Sequence, residues 1–246
     1  MKPINKTIRV FAPASSANLG CGFDVMGMAL DGIGDVLRIA ISEGDGLTIR
    51  NTSAAELPED IEKNVITPAV RAFMAAAGKK ACLEIVVEKK IRPGSGIGSS
   101  AASSAAAVFG LNELYGRPFS LPELVPFAME GEKLISGTAH ADNSAPAVMG
   151  GIVLIRGYQP LDMVRLPVPD SFCFSVIHPH IVVSTKTARD VLRKEIPMRE
   201  AVTQWGNVGG LVAGIMTGDL PLIGRSMRDV VAEPYRKGFI PGYDDL

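Results

Sequence analysis

The chain has 246 residues, 47% of them hydrophobic, and 25 Lys and Arg face 26 Asp and Glu for a net charge of −1. That is enough apolar material for one large core or two small ones, and no basic run points to nucleic acid or an anionic membrane as a partner. Cys21, Cys82 and Cys173 are scattered without a C-x-x-C pair, and the N-terminus has no apolar signal segment. The expectation is a cytoplasmic, globular protein with reduced thiols, no zinc site and no membrane span.

In chain order, Thr7–Phe11, Val36–Ser42 and Leu47–Arg50 read as strands separated by Gly and Asp turns. "TPAVRAFMAAAG" reads as a helix with Thr67 as N-cap, Pro68 at the first position and Gly78 as the stop. "CLEIVVEKKI" alternates Leu83, Ile85 and Val87 with Glu84 and Glu88, the pattern of a half-buried strand. The stretch "RPGSGIGSSAASSAAAVFG" follows at once, giving strand, Gly-rich turn and a helix from Ser99 to about Tyr115. Ser120 and Glu123 have capping-box spacing at the start of the next helix, in which Pro126 is expected to kink or divide the segment.

A second block begins near Gly150. "GGIVLIRG" and "SFCFSVIHP" read as core strands, and "TKTARDVLRK" and "REAVTQWGNVGGLVAGIMTGD" as helices. Strands and helices mix without a regular βαβ rhythm, so the fold class is α+β, with a domain boundary near residue 150. The last residues, "EPYRKGFIPGYDDL", stop just after a turn with no closing strand or helix, so the expectation is a natural end or a fragment.

The Gly-rich turn carries the chemistry. The first N–H groups of a helix have no partners within it, and the helix dipole adds positive potential there. Gly94, Gly96 and Gly98 let an anion come close to the backbone, and Ser99 and Ser100 add hydroxyls, so a phosphate is the natural occupant. A tight connection whose serines only cap the helix is the plain alternative. No G-K-[ST] triplet is present, which excludes a Walker loop, and Ser99 stands where a dinucleotide fingerprint needs its third glycine.

"PGSGIGSSA" resembles the phosphate loop of the GHMP small-molecule kinases. "VFAPASSANLGCGFDVMGMAL" (Val10–Leu30), "SGTAHADNSAPAVMGG" (Ser136–Gly151), "VSTKTAR" and "EPYR" are similar, in the same order, to the segments of homoserine kinases. The resemblance runs from about residue 7 to the end of the chain. It implies a two-domain fold: residues 1–150 as a mixed-sheet domain with helices, and residues 151–246 as an incomplete, ferredoxin-like α+β domain. The family's C-terminal G-x-G-P loop is not among these residues.

The activity implied is transfer of the γ-phosphate of ATP to the hydroxyl of L-homoserine, with Mg²⁺. For the ATP phosphates the resemblance implies Pro93, Gly94, Ser95, Gly96, Ile97, Gly98, Ser99 and Ser100. Lys89 reads first as a solvated strand-end lysine and second as a phosphate contact. Ser100 and Glu132 match the metal ligands of the family. Asn18, Asp24, His140, Asp142, Arg189 and Arg236 match its substrate residues: an acid suits the ammonium of an amino acid, and an arginine fork its carboxylate. Asn143 and Thr185 are expected near the reacting hydroxyl, with Asp142 a substrate binder first and a general base second. Each residue taken singly has a plainer reading, such as an Asx turn for Asn18 and Asp24 or a structural histidine for His140. His178 and His180 read as structural or exposed. The partner expected is a small molecule, with a homodimer as the assembly. A mevalonate-type kinase and a non-catalytic nucleotide-binding regulator are the alternatives.

Overall fold

The computed structural model describes residues 6–54, 57–58, 60–177, 181 and 183–245. His178 and His180 lie outside them. Along the chain come β1 (Lys6–Ala17), β2 (Met26–Ser42), β3 (Gly46–Asn51), α1 (Ile66–Ala76), β4 (Cys82–Glu88), α2 (Ser99–Leu114), α3 (Leu121–Ser136), α4 (Ala141–Met149), β5 (Ile152–Tyr158) and β6 (Leu161–Leu166). Helices α5 (Thr185–Asp190), α6 (Met198–Thr217), α7 (Leu220–Ser226) and α8 (Glu233–Arg236) follow.

The six strands form one mixed sheet in the order β3-β4-β2-β5-β6, with β1 also paired to β2. Among the described strands only β3 and β4 run parallel. The 17-residue β2 organises the sheet. Met26–Met28 at its start pair with β5, Val36–Ser42 at its end with β4, and β1 runs antiparallel along nearly its whole length. β1 continues past the expected end at Phe11 because Pro13, which has no N–H to give to a ladder, falls at a register shift. The strands β5 and β6, beyond the expected boundary near residue 150, hydrogen-bond into this same sheet.

The alternation read in β4 decides which face is buried. Leu83, Ile85 and Val87, with Leu37, Ile39 and Ile41 of β2, point into the core, while Arg9, Arg38, Glu84 and Glu88 line the wet face. Helix α2 lies on the core face and is buried nearly all round, with Ala101, Ala102, Ala105, Ala106 and Ala107 at 0–1% exposure. Its small side chains allow close approach to the sheet, so its serine-rich N-terminus is held at a fixed height above the strands.

Phe73 of α1 meets Phe119 and Phe127 edge-on, with ring centroids 5.4 and 5.8 Å away. That cluster clamps α3 against α1 and α2. The Ser120–Glu123 capping box starts α3 as expected, through Ser120 N–H and Oγ–H bonds of 2.8 and 2.6 Å to Glu123.

Four expectations are corrected. Thr67 does not cap α1: it lies inside the first turn with its hydroxyl on Ile61 O, and Asn64 Oδ1 accepts from Ile66 N. Pro126 does not divide α3, which runs unbroken through it. The stretch 185–194 is helical only over its first six residues. Phe172–Ile177 is not a strand: these residues pair with no other strand, and Phe174, Val176 and Ile177 are exposed. A β conformation is held by cross-strand hydrogen bonds, so an apolar run alone does not make one. Among the described residues after Leu166 there are helices but no strand, and no described helix is long and apolar enough to cross a membrane.

Candidate functional site

The Gly-rich loop spans the gap between β4 and α2. Gly94, Gly96 and Gly98 all have positive φ, and Gly98, at φ 66° and ψ 34°, is the residue from which α2 starts. A Cβ at Gly98 would run into Ser15 Oγ, so only glycine fits both the backbone and the space. The loop is tied to β1 by Ser15 N–H bonding to Ile97 O at 3.2 Å. Ser15 Oγ–H then donates to Asn143 Oδ1 at 2.8 Å, which joins the loop to α4.

In the first turn of α2, Ser100 Oγ–H donates to Glu132 Oε1 of α3 at 2.5 Å. Burial raises the Glu132 pKa, while Ser100 and the Lys89 charge pull it down. The pairing expected from the resemblance therefore exists in space. Among the described residues no three His, Cys, Asp or Glu side chains converge as a metal-binding group.

Lys89 is corrected on its first reading, that of a solvated strand-end lysine. It is buried, ion-paired to Asp35, and donates to Ser99 O at 2.5 Å and Ser103 Oγ at 2.8 Å. Its three ammonium protons are thus engaged beneath the loop, so it is not solvated.

A second cluster is built on the 18–25 turn. Asn18, Leu19 and Asp24 all have positive φ, and Asn18 Oδ1 accepts from Asp24 N at 3.0 Å. Asn18 thus bonds backbone six residues on, not two as an Asx turn would, and its effect is to aim Asp24. The Asp24 carboxylate receives Arg189 of α5 at two points, 3.0 Å from Nη1 and 2.8 Å from Nη2. Arg189 Nε is buried and has no hydrogen-bond partner among the described residues. The guanidinium groups of Arg189 and Arg236 both lie against the Phe23 ring, 5.6 and 4.8 Å from its centroid. Burial, then the nearby Arg189 charge, lowers the Arg236 pKa. Two cations brought together in this way favour an anion between them.

Helix α4 supplies the third side. A Cβ at Gly27 of β2 would strike Asp142 O, so the absent side chain lets α4 rest directly on the sheet. Asp142 is 5% exposed, and its carboxyl is pushed up to about 7 by burial and then by the charges of Asp24 and Glu132. His140 precedes α4, with Nδ1 3.7 Å from Asp24 and Nε2 2.8 Å from Thr138 Oγ1. Burial lowers its pKa, and the Asp24 charge opposes that shift. Thr185 opens α5, and its side chain is outside the described set.

Sequence reasoning missed three supporting residues. Tyr158 OH donates to Asp24 O at 2.9 Å and accepts from Ala141 N at 3.3 Å, locking the turn to α4. Gln204 Nε2 donates to Cys21 O at 2.5 Å and to Asp229 at 2.9 Å. Asp229 in turn accepts from the backbone N–H groups of Val231, Ala232 and Glu233, which fixes α8 and Arg236. A polar residue four before "EPYR" was the available signal for Asp229; none marked Gln204 or Tyr158.

With this geometry, comparison with known proteins is direct. Residues 64–151 match the family model of the GHMP kinases N-terminal domain, which takes in the loop, Glu132 and α4. The homoserine kinase of Chlorobium phaeobacteroides is 43% identical over 253 residues, covering 98% of this chain and 79% of that protein. The chain belongs to the homoserine kinase family. The homoserine kinase of Natronomonas pharaonis is 44% identical, covering 97% of this chain and 78% of its own. The crystal structure of homoserine kinase from Cytophaga hutchinsonii superposes with a TM-score of 0.90 at 46% identity, covering 100% of this chain and 78% of that one. The fold is shared more widely. An L. major mevalonate kinase in complex with R-mevalonate gives a TM-score of 0.65 at 18% identity, covering 92% of this chain and 75% of that one. Membership of the homoserine kinase family makes the chain an ATP-dependent small-molecule kinase of the GHMP fold.

Proposed function

We propose that this protein transfers the γ-phosphate of ATP to the side-chain hydroxyl of L-homoserine, giving O-phospho-L-homoserine for threonine synthesis, and that it does so with the residues described above. The observation that carries the assignment of roles is the position of Asp142. Beside it Asn143 bonds Ser15, which holds the phosphate loop, and His140 at the start of α4 lies 3.7 Å from Asp24, so α4 lies between the loop and the polar cluster.

In this reading the backbone N–H groups from Gly94 to Ser100 receive the ATP phosphates, flanked by Pro93, Ser95, Ile97 and Ser99. Asp24 takes the ammonium of the amino acid, and Arg189 with Arg236 takes its carboxylate. Asn18 and His140 hold Asp24 and the wall beside it. The hydroxyl then falls near Asp142 and Asn143, with Thr185 opening the helix that bears Arg189. Phosphoryl transfer asks the protein chiefly for in-line placement and charge stabilisation. Asp142 first orients the hydroxyl, and a carboxyl poised near neutrality is also suited to take the proton it loses.

Ser100 and Glu132 fit Mg²⁺. A hydroxyl and a buried carboxylate are hard oxygen donors, and this ion keeps most of its shell as water and phosphate, so few protein ligands are needed. Bound Mg²⁺ would neutralise charge on the transferring group.

The division into an N-terminal and a C-terminal domain, a homodimeric assembly and a cytoplasmic location belong to the same proposal. A coupled ADP-release assay with L-homoserine and with mevalonate tests the substrate assignment. Turnover on homoserine alone is expected; turnover on mevalonate alone refutes it.

A further inference from the structure

The Asp35–Lys89 pair lies outside the set of residues that meet either substrate, yet both are buried, with side chains 0% and 3% exposed. Replacing a buried ion pair by apolar groups of similar size is often neutral for stability, so stability alone does not account for its place here. Its partners do. Asp35 Oδ1 accepts from the backbone N–H groups of Lys90 and Ile91, at 2.9 and 3.0 Å, where the chain enters the loop. Asp35 Oδ2 accepts from Ser103 Oγ at 2.9 Å in α2, where the chain has left the loop. Lys89 Nζ bonds Ser99 O, and Ser99 Oγ–H closes the ring on Ile91 O at 3.1 Å. One carboxylate on β2 therefore holds both stems of the loop.

We propose that Asp35 is a positioning residue for the phosphoryl donor: through Lys89 and Ser103 it fixes the distance between the two stems, and so sets the spacing of the loop's amide donors. The inference rests on the reading that this loop holds the ATP phosphates. A loop with three glycines at positive φ has little rigidity of its own, so the spacing of its donors must be imposed from its ends. Asp35 touches no phosphate in this arrangement. It acts on ATP through the backbone alone.

The test uses Asp35→Asn and the double variant Asp35→Leu with Lys89→Met, whose apolar pair keeps the buried volume filled. The readouts are the KM for ATP, the KM for homoserine and kcat, each with a thermal melt. The expected result for both is a rise of about tenfold or more in the KM for ATP, with the KM for homoserine within twofold. An unchanged KM for ATP in a folded double variant overturns the inference, as does an equal rise in both KM values. Should both proteins fail to fold, Ser103→Ala, which removes one hydroxyl and spares the ion pair, is expected to raise the KM for ATP about threefold, and no change overturns the inference. Gly96→Ala separates the two readings. Its φ of 79° strains an alanine while a Cβ there meets open space, so it disturbs the loop alone. An unchanged KM for ATP in Gly96→Ala sinks the loop reading itself; a rise there without one in the Asp35 variants sinks only the positioning role.

Discussion

Asp24 and Arg189, 165 residues apart, hold each other in a two-point ion pair at 2.8 and 3.0 Å. These are the acid and the base that the homoserine kinase reading assigns to the ammonium and the carboxylate of the substrate. In that reading each group serves as the other's partner until a zwitterion arrives. An amino acid must part them and offers each the same charge in return, whereas an alcohol with a carboxylate and no ammonium would leave Asp24 unpaired. Such an unpaired charge is costly, and the cost discriminates between substrates.

Asp24→Asn should raise the KM for homoserine roughly ten- to a hundredfold, the range of a charge-assisted hydrogen bond, with a much smaller change in kcat. Steady-state kinetics with each substrate varied in turn checks this. A homoserine KM equal to that of the parent protein would remove Asp24 from the site.

Arg236→Ala should weaken homoserine by about tenfold and leave kcat within twofold, because a carboxylate contact exists equally in ground and transition states. Arg236 Nε–H also bonds Ala188 O at 2.7 Å, next to Arg189, so a thermal melt should accompany the kinetics. A large fall in kcat at constant KM contradicts the role.

Glu132→Gln should act the other way. Its carboxylate meets Ser100 at the phosphate end, so kcat should fall roughly a hundredfold or more while the homoserine KM stays within about threefold. Titration with Mg²⁺ should show a raised half-saturation concentration. Equal activity and equal Mg²⁺ response in the variant would exclude Glu132 as a ligand.

Asp142 predicts a pH dependence of stability. Its carboxyl, ordinarily at 3.8, stands at about 7 in the folded protein because burial and neighbouring carboxylates oppose its charge. The folded state thus binds the proton more tightly than the unfolded one, and stability falls as the pH climbs between those values. The loss is complete above the folded value, on the order of 4 kcal/mol for such a shift. Asp142→Asn, which cannot ionise, should melt roughly 5 °C or more above the parent protein at about pH 8, with a smaller gain at about pH 5. Identical gains at both values, or none, contradict the raised pKa.

What the sequence made legible was local. The start of α2 after Gly98 and the Ser120–Glu123 box depend on residues within a few positions of one another, and the half-buried alternation of β4 is equally short-ranged. Helix α4 was not read as a helix, since Asn143, Pro146 and the flanking glycines have poor helix propensity. Packing on β2 at Gly27 makes it one. Lys89 was misplaced because its partner Asp35 lies 54 residues away on another strand, and nothing beside Lys89 reveals that. Phe172–Ile177 failed for the complementary reason: its apolar pattern is a strand's, but pairing is a property of two segments. The site residues were named from ordered motifs, while the pairing of Asp24 with Arg189 needed coordinates.

The most direct test is a crystal structure with a non-hydrolysable ATP analogue and L-homoserine bound together. The expected result has phosphate oxygens on the backbone N–H groups between Gly96 and Ser100, with Asp24 and Arg189 separated and homoserine bridging them. An intact Asp24–Arg189 pair with both ligands bound elsewhere would contradict it.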